Sequence, residues 1–164
     1  MIHYFLCFNS KSQIRLQKWY SNYNEIKKKQ IIKDVMKEIL DRKTNVCLFF
    51  EECEELTIVY RKYAALYFVL AIDPNDNALL AMDIIQRYVE LLDKYFKNVC
   101  ELNIIFDFHK AYYVLDEFIL NGEIQEYDKD LIINAVREYD QLQKKENEEQ
   151  NEVAQSTSSA RKSY

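Results

Sequence analysis

Glycine and proline are almost missing from this chain, which has one of each, Gly122 and Pro74, in 164 residues. A Gly-rich phosphate loop is therefore excluded, and tight turns fall to Asn, Asp and Ser. Histidine is nearly as scarce: His3 and His109 stand apart from any Cys or carboxylate at zinc-ligand spacing. Cys7, Cys47, Cys53 and Cys100 have no close paired spacing and read as reduced, buried small hydrophobes. No G-x-S-x-G, H-E-x-x-H or Cys–His signature is present, so no enzyme, cofactor or metal site is expected. Net charge is −5 and the only basic run is Lys27-Lys28-Lys29, which leaves no stripe to neutralise nucleic-acid phosphates. The longest apolar run, Ala64 to Ile72, is too short to span a bilayer. The apolar N-terminus has neither the basic start nor the small-residue cleavage site of a secretory signal. A soluble intracellular protein is expected.

What the chain does have is apolar and aromatic side chains. Hydrophobic residues make up 49%, charged residues 30%, and 13 tyrosines raise the aromatic share to 14%, enough for one domain with a full core and a lean toward protein interfaces. The stretch from Tyr88 to Gly122 is the centre of the pattern. Between Leu102 and Leu120 apolar residues point in nearly every direction around a helical wheel, so this helix needs cover from its own domain and from a partner. Its first half also alternates like a strand (Leu102, Ile104, Phe106, Phe108). Gly122 stands where a helix C-terminus favours glycine.

In order, Ile2–Phe8 and Ile14–Tyr20 read as a hairpin, the second strand carrying Ile14, Leu16 and Lys18 on one face. With Asn22 or Asn24 as cap, an amphipathic helix runs from Glu25 to Asp41. Val46–Phe50, Leu56–Tyr63 and Ala65–Ile72 are further strands, with Glu51–Glu55 as an acidic loop. After Pro74 a helix runs to Lys97, and Asp128 caps a last helix with Leu131, Ile132, Ala135, Val136, Tyr139 and Leu142 on one face. From Lys144 the composition turns polar and acidic, so a domain over 1–143 and a disordered tail over 144–164 are expected. The element order suits an α+β fold, one sheet with helices on its faces.

Several segments together resemble the small, sigma chain of clathrin adaptor complexes. They are RLQKWY (Arg15–Tyr20), VYRKYAALYF (Val59–Phe68), DPNDNALL (Asp73–Leu80) and the run from Arg87 through NVCELNIIFDFHKAYYVLDEF to NGEI at Ile124. The likeness extends from Met1 to about Leu142, and its forms are most similar to the trans-Golgi and endosomal adaptor. The resemblance implies a longin (SNARE-like) fold: a five-stranded sheet, one helix on one face, two long helices on the other, and a C-terminal helix. It implies a heterotetramer in which a gamma-type large chain clasps this one, with a beta-type large chain and a medium mu chain. Clathrin and a small GTPase would be reached only through the complex, as would the membrane. The location implied is the cytoplasmic face of trans-Golgi network, endosomes and coated vesicles.

Function in that family is recognition of acidic dileucine sorting signals: an Asp or Glu, a spacer, then Leu-Leu or Leu-Ile. Carried over by position, the leucine pocket falls on Ala64, Leu66, Val89, Val99 and Ile104, the peptide-backbone contact on Asn98, and the contact to the acidic position on Arg15. The types suit the task, small and branched apolar groups for a slot and a guanidinium for a carboxylate. The chain departs from the family at Ser12 and Ala65, where glycine, or glycine and serine, are usual. The first bears on the aim of Arg15, the second on the width of the pocket. Two other readings stand beside this one, a sigma chain of the plasma-membrane adaptor and a free-standing longin-domain regulator. An apolar helix over Leu102–Leu120 predicts that the chain expressed alone aggregates and that co-expression with a large chain solubilises it, as size-exclusion chromatography reads directly.

Overall fold

The computed structural model describes residues 1–41, 49–52 and 56–160. Two strands with both faces apolar form its centre. β1 (Ile2–Asn9) and β5 (Leu66–Ile72) are buried along almost their whole length and pair antiparallel. β2 (Ile14–Trp19) pairs with the free edge of β1, and β4 (Leu56–Tyr63) with that of β5, all antiparallel. The resulting order is β2-β1-β5-β4, with the short β3 (Phe49–Glu52) along the outer edge of β4. Glu51 and Glu52, assigned above to a loop, pair with Thr57 and Leu56. Residues 46–48 of the expected strand lie outside the described residues, as do Cys47, Cys53 and the rest of the acidic loop.

Period-2 alternation divides β1 between two cores. Tyr4, Leu6 and Phe8 meet Val35 and Ile39 of α1 (Glu25–Asp41) on one side. Asn24 caps that helix, accepting the Lys27 N–H at 2.8 Å. Phe5 and Cys7 face the other side. There they meet Ile85, Tyr88 and Leu92 of α2 (Ala78–Phe96), Ala111, Val114 and Phe118 of α4 (Phe108–Phe118), and Ile132, Ile133 and Val136 of α5 (Lys129–Ala160). Asn77 caps α2 by accepting the Leu79 N–H at 2.9 Å, and Tyr88 Oη donates to the buried Ala111 carbonyl at 2.9 Å. No helix among the described residues is long and apolar enough to cross a membrane.

The stretch expected as one helix is two. α3 (Glu101–Phe106) ends at Asp107, where φ −113° and ψ 38° break the helix before α4 begins. The strand alternative is not adopted, and the nearest sheet edge is already engaged: Tyr112 Oη accepts the Gln17 N–H and donates to the Gln17 carbonyl, both at 3.0 Å. Leu102, Phe106 and Phe108 stay 59%, 75% and 55% exposed, so the domain covers this stretch on one side only.

One more expectation needs correction. The buried face of α5 is Ile132, Ile133 and Val136, whereas Leu131, Tyr139 and Leu142 are exposed, because the helix is docked about one position round from the assumed stripe. Its backbone stays helical to Ala160. Glu, Gln, Lys and Ala favour the helix there with no Gly or Pro to stop it.

Gly122 serves a hairpin turn, not a helix terminus. Asn121 (φ 52°) and Gly122 (φ 81°) join β6 (Ile119–Leu120) to β7 (Glu123–Ile124), the positive-φ pair that a two-residue turn requires. A Cβ at Gly122 would come 2.5 Å from the Ile2 carbonyl oxygen, while Ile2 N–H donates to the Gly122 carbonyl at 3.0 Å. Gly122→Ala should therefore cost about 1–3 kcal/mol from φ alone, with the clash in addition. A thermal melt of the assembled protein checks this, Glu123→Ala on the adjacent exposed position serving as the neutral control.

Candidate functional site

Two backbone reversals shape one cleft. The β4–β5 turn passes through Ala64 at φ 51°, leaving only the small side chains of Ala64 and Ala65 at its tip. Opposite, α2 ends at Lys97 (φ 54°) and Asn98 (φ 77°). Consecutive left-handed residues turn the chain sharply back, and the Val99 N–H, donating to Asp93 Oδ1 at 3.1 Å, secures the turn. Asn103 Oδ1 then accepts the Cys100 N–H at 2.9 Å and opens α3.

Between these turns lies a cleft of about 280 Å³. Ala64, Leu66, Val89, Val99 and Ile104 all line it, so the fold brings together five positions spread over 41 residues of sequence. Tyr63 and Phe68 add aromatic wall, and Cys100 and Glu101 are its polar members. Leu66 and Ile104 form buried floor, while Val89 and Val99 are half-buried and reachable from solvent. Cys100 is exposed, against the expectation of a buried thiol, because it sits on the turn before α3 and not in the core; Cys7 is buried as expected. Asn98 is not among the lining residues. It adjoins Val99 on the exposed turn.

Arg15 is not among the lining residues either, but it reaches Glu101 on the cleft wall by a device the sequence pattern did not disclose. Cys7 pairs with Leu16 but Phe8 pairs with Ile14, so Arg15 is the extra residue of a β-bulge. Bulges re-aim side chains. Ile14 consequently packs on the α1 side and Leu16 on the α2 side, not on one face as strict alternation predicts. The turn before it tolerates Ser12 at φ 59°, closed by the Ser12 N–H to the Asn9 carbonyl at 3.0 Å. Arg15 Nε donates to Glu101 Oε1 at 2.8 Å and Nη2 to Gln13 Oε1 at 2.9 Å. Asn9, only 5% exposed, donates from Nδ2 to those same two oxygens, at 2.8 and 2.9 Å. Donation first from Arg15 and then from Asn9 holds the Glu101 carboxyl below its usual range.

A second polar cluster lies near the chain start. His3 bonds Ser21 Oγ through Nδ1 and Asp73 Oδ1 through Nε2, both at 2.7 Å, and Asp73 also accepts the N-terminal ammonium at 2.9 Å. Asp73 therefore meets His3 across 70 residues of sequence. The Ser–His–Asp order is that of a hydrolase, yet Asp73 is shared with the ammonium and the cluster ties β1 to the end of β5. Among the described residues no His, Cys, Asp and Glu group is fit to hold a metal ion.

The sequence model of the clathrin adaptor complex small chain matches residues 1–143. The chain belongs to that family. The AP-1 complex subunit sigma-3 of Mus musculus is 49% identical to this small chain over 143 residues, covering 87% of it and 92% of the relative. The AP-1 complex subunit sigma-1 of Arabidopsis thaliana is 42% identical over 154 residues, covering 94% and 95%. In three dimensions the small chain is similar to a chain of a homology model of the full-length AP-3 complex in a stretched open conformation. That match has a TM-score of 0.68 and 30% identity, and it covers 91% of this chain and 99% of the other. Sigma subunits are not enzymes, and membership carries that expectation with it.

Sequence reading missed Glu101, Asn9 and Gln13. Nothing local links Glu101 to an arginine 86 residues away, and only the bulge discloses the pairing. Because its folded-state pKa is depressed, Glu101 contributes stability above its unfolded value, and that contribution is lost as pH falls through the folded one. With both side chains partly exposed, the contribution should be about 1 kcal/mol or less. Denaturant midpoints taken on either side of the carboxylate range should fall less for Glu101→Gln than for the unmodified chain.

Proposed function

We propose that this small chain binds acidic dileucine signals in the cytosolic tails of membrane cargo, as part of a heterotetramer with a gamma-type and a beta-type large chain and a medium mu chain. Its sheet and helices are read as a longin fold. The observation that carries the proposal is the apolar cleft lined by Ala64, Leu66, Val89, Val99 and Ile104, with a guanidinium held at Arg15 beside one of its walls. Such a slot suits two branched side chains, and a nearby cation suits the acid that precedes them. Asn98, on the turn next to Val99, is placed to meet the peptide backbone. The exposed apolar side chains of Leu102, Phe106 and Phe108 supply the surface that the gamma-type chain covers.

Similarity to AP-1 sigma subunits favours work at the cytoplasmic face of the trans-Golgi network and endosomes over the plasma-membrane complex. Clathrin and a small GTPase are then met through the other chains. The exposed α3–α4 surface also favours the assembled chain over a free-standing longin regulator.

Burial should outweigh charge in this site. Each leucine, fully buried, supplies about 1.5–3 kcal/mol, whereas the partly exposed, salt-screened contact to Arg15 adds about 1 kcal/mol or less. Val89→Asp puts a carboxylate in the slot at a desolvation cost and should abolish binding of an ExxxLL peptide while leaving assembly intact. Arg15→Ser should weaken binding only several-fold and flatten its salt dependence. Peptide titration of the reconstituted complex at low and high salt measures both, and unchanged affinity in an assembled Val89→Asp complex would show the cleft to be the wrong site.

A further inference from the structure

Resting on the dileucine reading above, we infer that Glu101 is a resident carboxylate that competes with the acidic residue of the peptide for Arg15, and so sets how strongly the site rewards acid in its ligands. Glu101 lines the apolar cleft and at the same time accepts from Arg15 Nε at 2.8 Å. The guanidinium that would meet the peptide's acid is thus already partnered by an acid of its own chain. Arg15 and Glu101 side chains are 20% and 26% exposed, so water screens the pair less than it would on an open surface.

Of the five guanidinium N–H groups, Nε–H and one on Nη2 are used, by Glu101 and Gln13. The remaining donors leave room for a second carboxylate. What such a carboxylate meets, however, is an ion pair of zero net charge rather than a free cation. It must also approach Glu101 itself, a like charge on the wall of the cleft. The arrangement holds Arg15 in place and reduces its pull on acid, so that the two leucines decide affinity and the acid adjusts it.

Neutral and charged acceptors can be exchanged here without moving the frame. In Glu101→Gln an amide oxygen replaces Oε1 and can still accept from Arg15 Nε and Asn9 Nδ2, so orientation is kept while the competing charge is removed. Gln13→Glu does the reverse. It keeps an acceptor for Arg15 Nη2 and Asn9 Nδ2 but adds a second negative charge to the guanidinium. Arg15 is a contact residue in this scheme, and Glu101 a specificity-determining residue that acts through it.

The test is a cycle between protein and peptide charge in the reconstituted four-chain complex, using ExxxLL and QxxxLL peptides. Glu101→Gln should tighten ExxxLL binding roughly three- to five-fold, within the range of a partly exposed ion pair, and change QxxxLL binding less than about two-fold. Gln13→Glu should weaken ExxxLL and spare QxxxLL, so a folding defect in one variant leaves the other to decide. Equal shifts for both peptides, or no shift in either variant, would overturn the inference while Val89→Asp still abolished binding. If the unmodified complex bound neither peptide, the dileucine reading would fall and this inference with it.

Discussion

The centre of the sheet is apolar on both faces, and that constraint organises the molecule. β1 and β5 have no side that water can keep, so each face must be roofed by helix. α1 suffices on one side, where Val35 and Ile39 seal Leu6, Phe8 and Val69. The other side needs α2, α4 and α5 together, with α2 tied to α4 by the buried Tyr88–Ala111 hydrogen bond. Covering this face with several helices leaves a seam where α2 turns into α3 above the β4–β5 hairpin. The cleft is that seam.

Its chemistry follows from how the seam is made. Small side chains at the hairpin tip and half-buried valines on α2 and the α2–α3 turn keep it open, while Ile104 and Leu66 close its floor. The polar wall is built differently, by a bulge that turns Arg15 toward the first residue of α3 and by the buried Asn9 that holds the acceptors in register. Apolar burial and a partnered ion pair therefore adjoin, and the first supplies most of the energy available to a ligand. The exposed helical surface around Leu102, Phe106 and Phe108 is the one proposed above for contact with a larger chain.

Much of this was legible beforehand. Strand alternation, a cap at Asn22 or Asn24, the strand stop at Pro74 and the helical period of Ile31 to Leu40 are local signals, and each element they mark is present. The gathering of Ala64, Leu66, Val89, Val99 and Ile104 followed from resemblance, since no spacing rule connects a hairpin to two helices. What stayed hidden was non-local. The break at Asp107 carries no Gly or Pro, and the pairing of Arg15 with Glu101 depends on a one-residue register shift. The helical face of α5 is ambiguous by one position in the sequence because Leu131 and Ile133 are equally apolar and only packing chooses between them. Gly122 follows a helix and so resembles a helix stop, although Asn-Gly is also a hairpin signal, and the close approach of Ile2 is what requires glycine there.

The central claim is that two leucines of a sorting signal enter the seam between the β4–β5 turn and the α2–α3 turn. Photo-crosslinking tests it most directly: a dileucine peptide carrying a photoreactive leucine analogue at each leucine position in turn, irradiated in the four-chain complex, with adducts mapped by mass spectrometry. The account predicts adducts on segments containing Val89, Val99 and Ala64 or Leu66, suppressed by excess unlabelled peptide. Suppressible adducts confined to another chain, or to the Leu102–Phe108 surface, would contradict it.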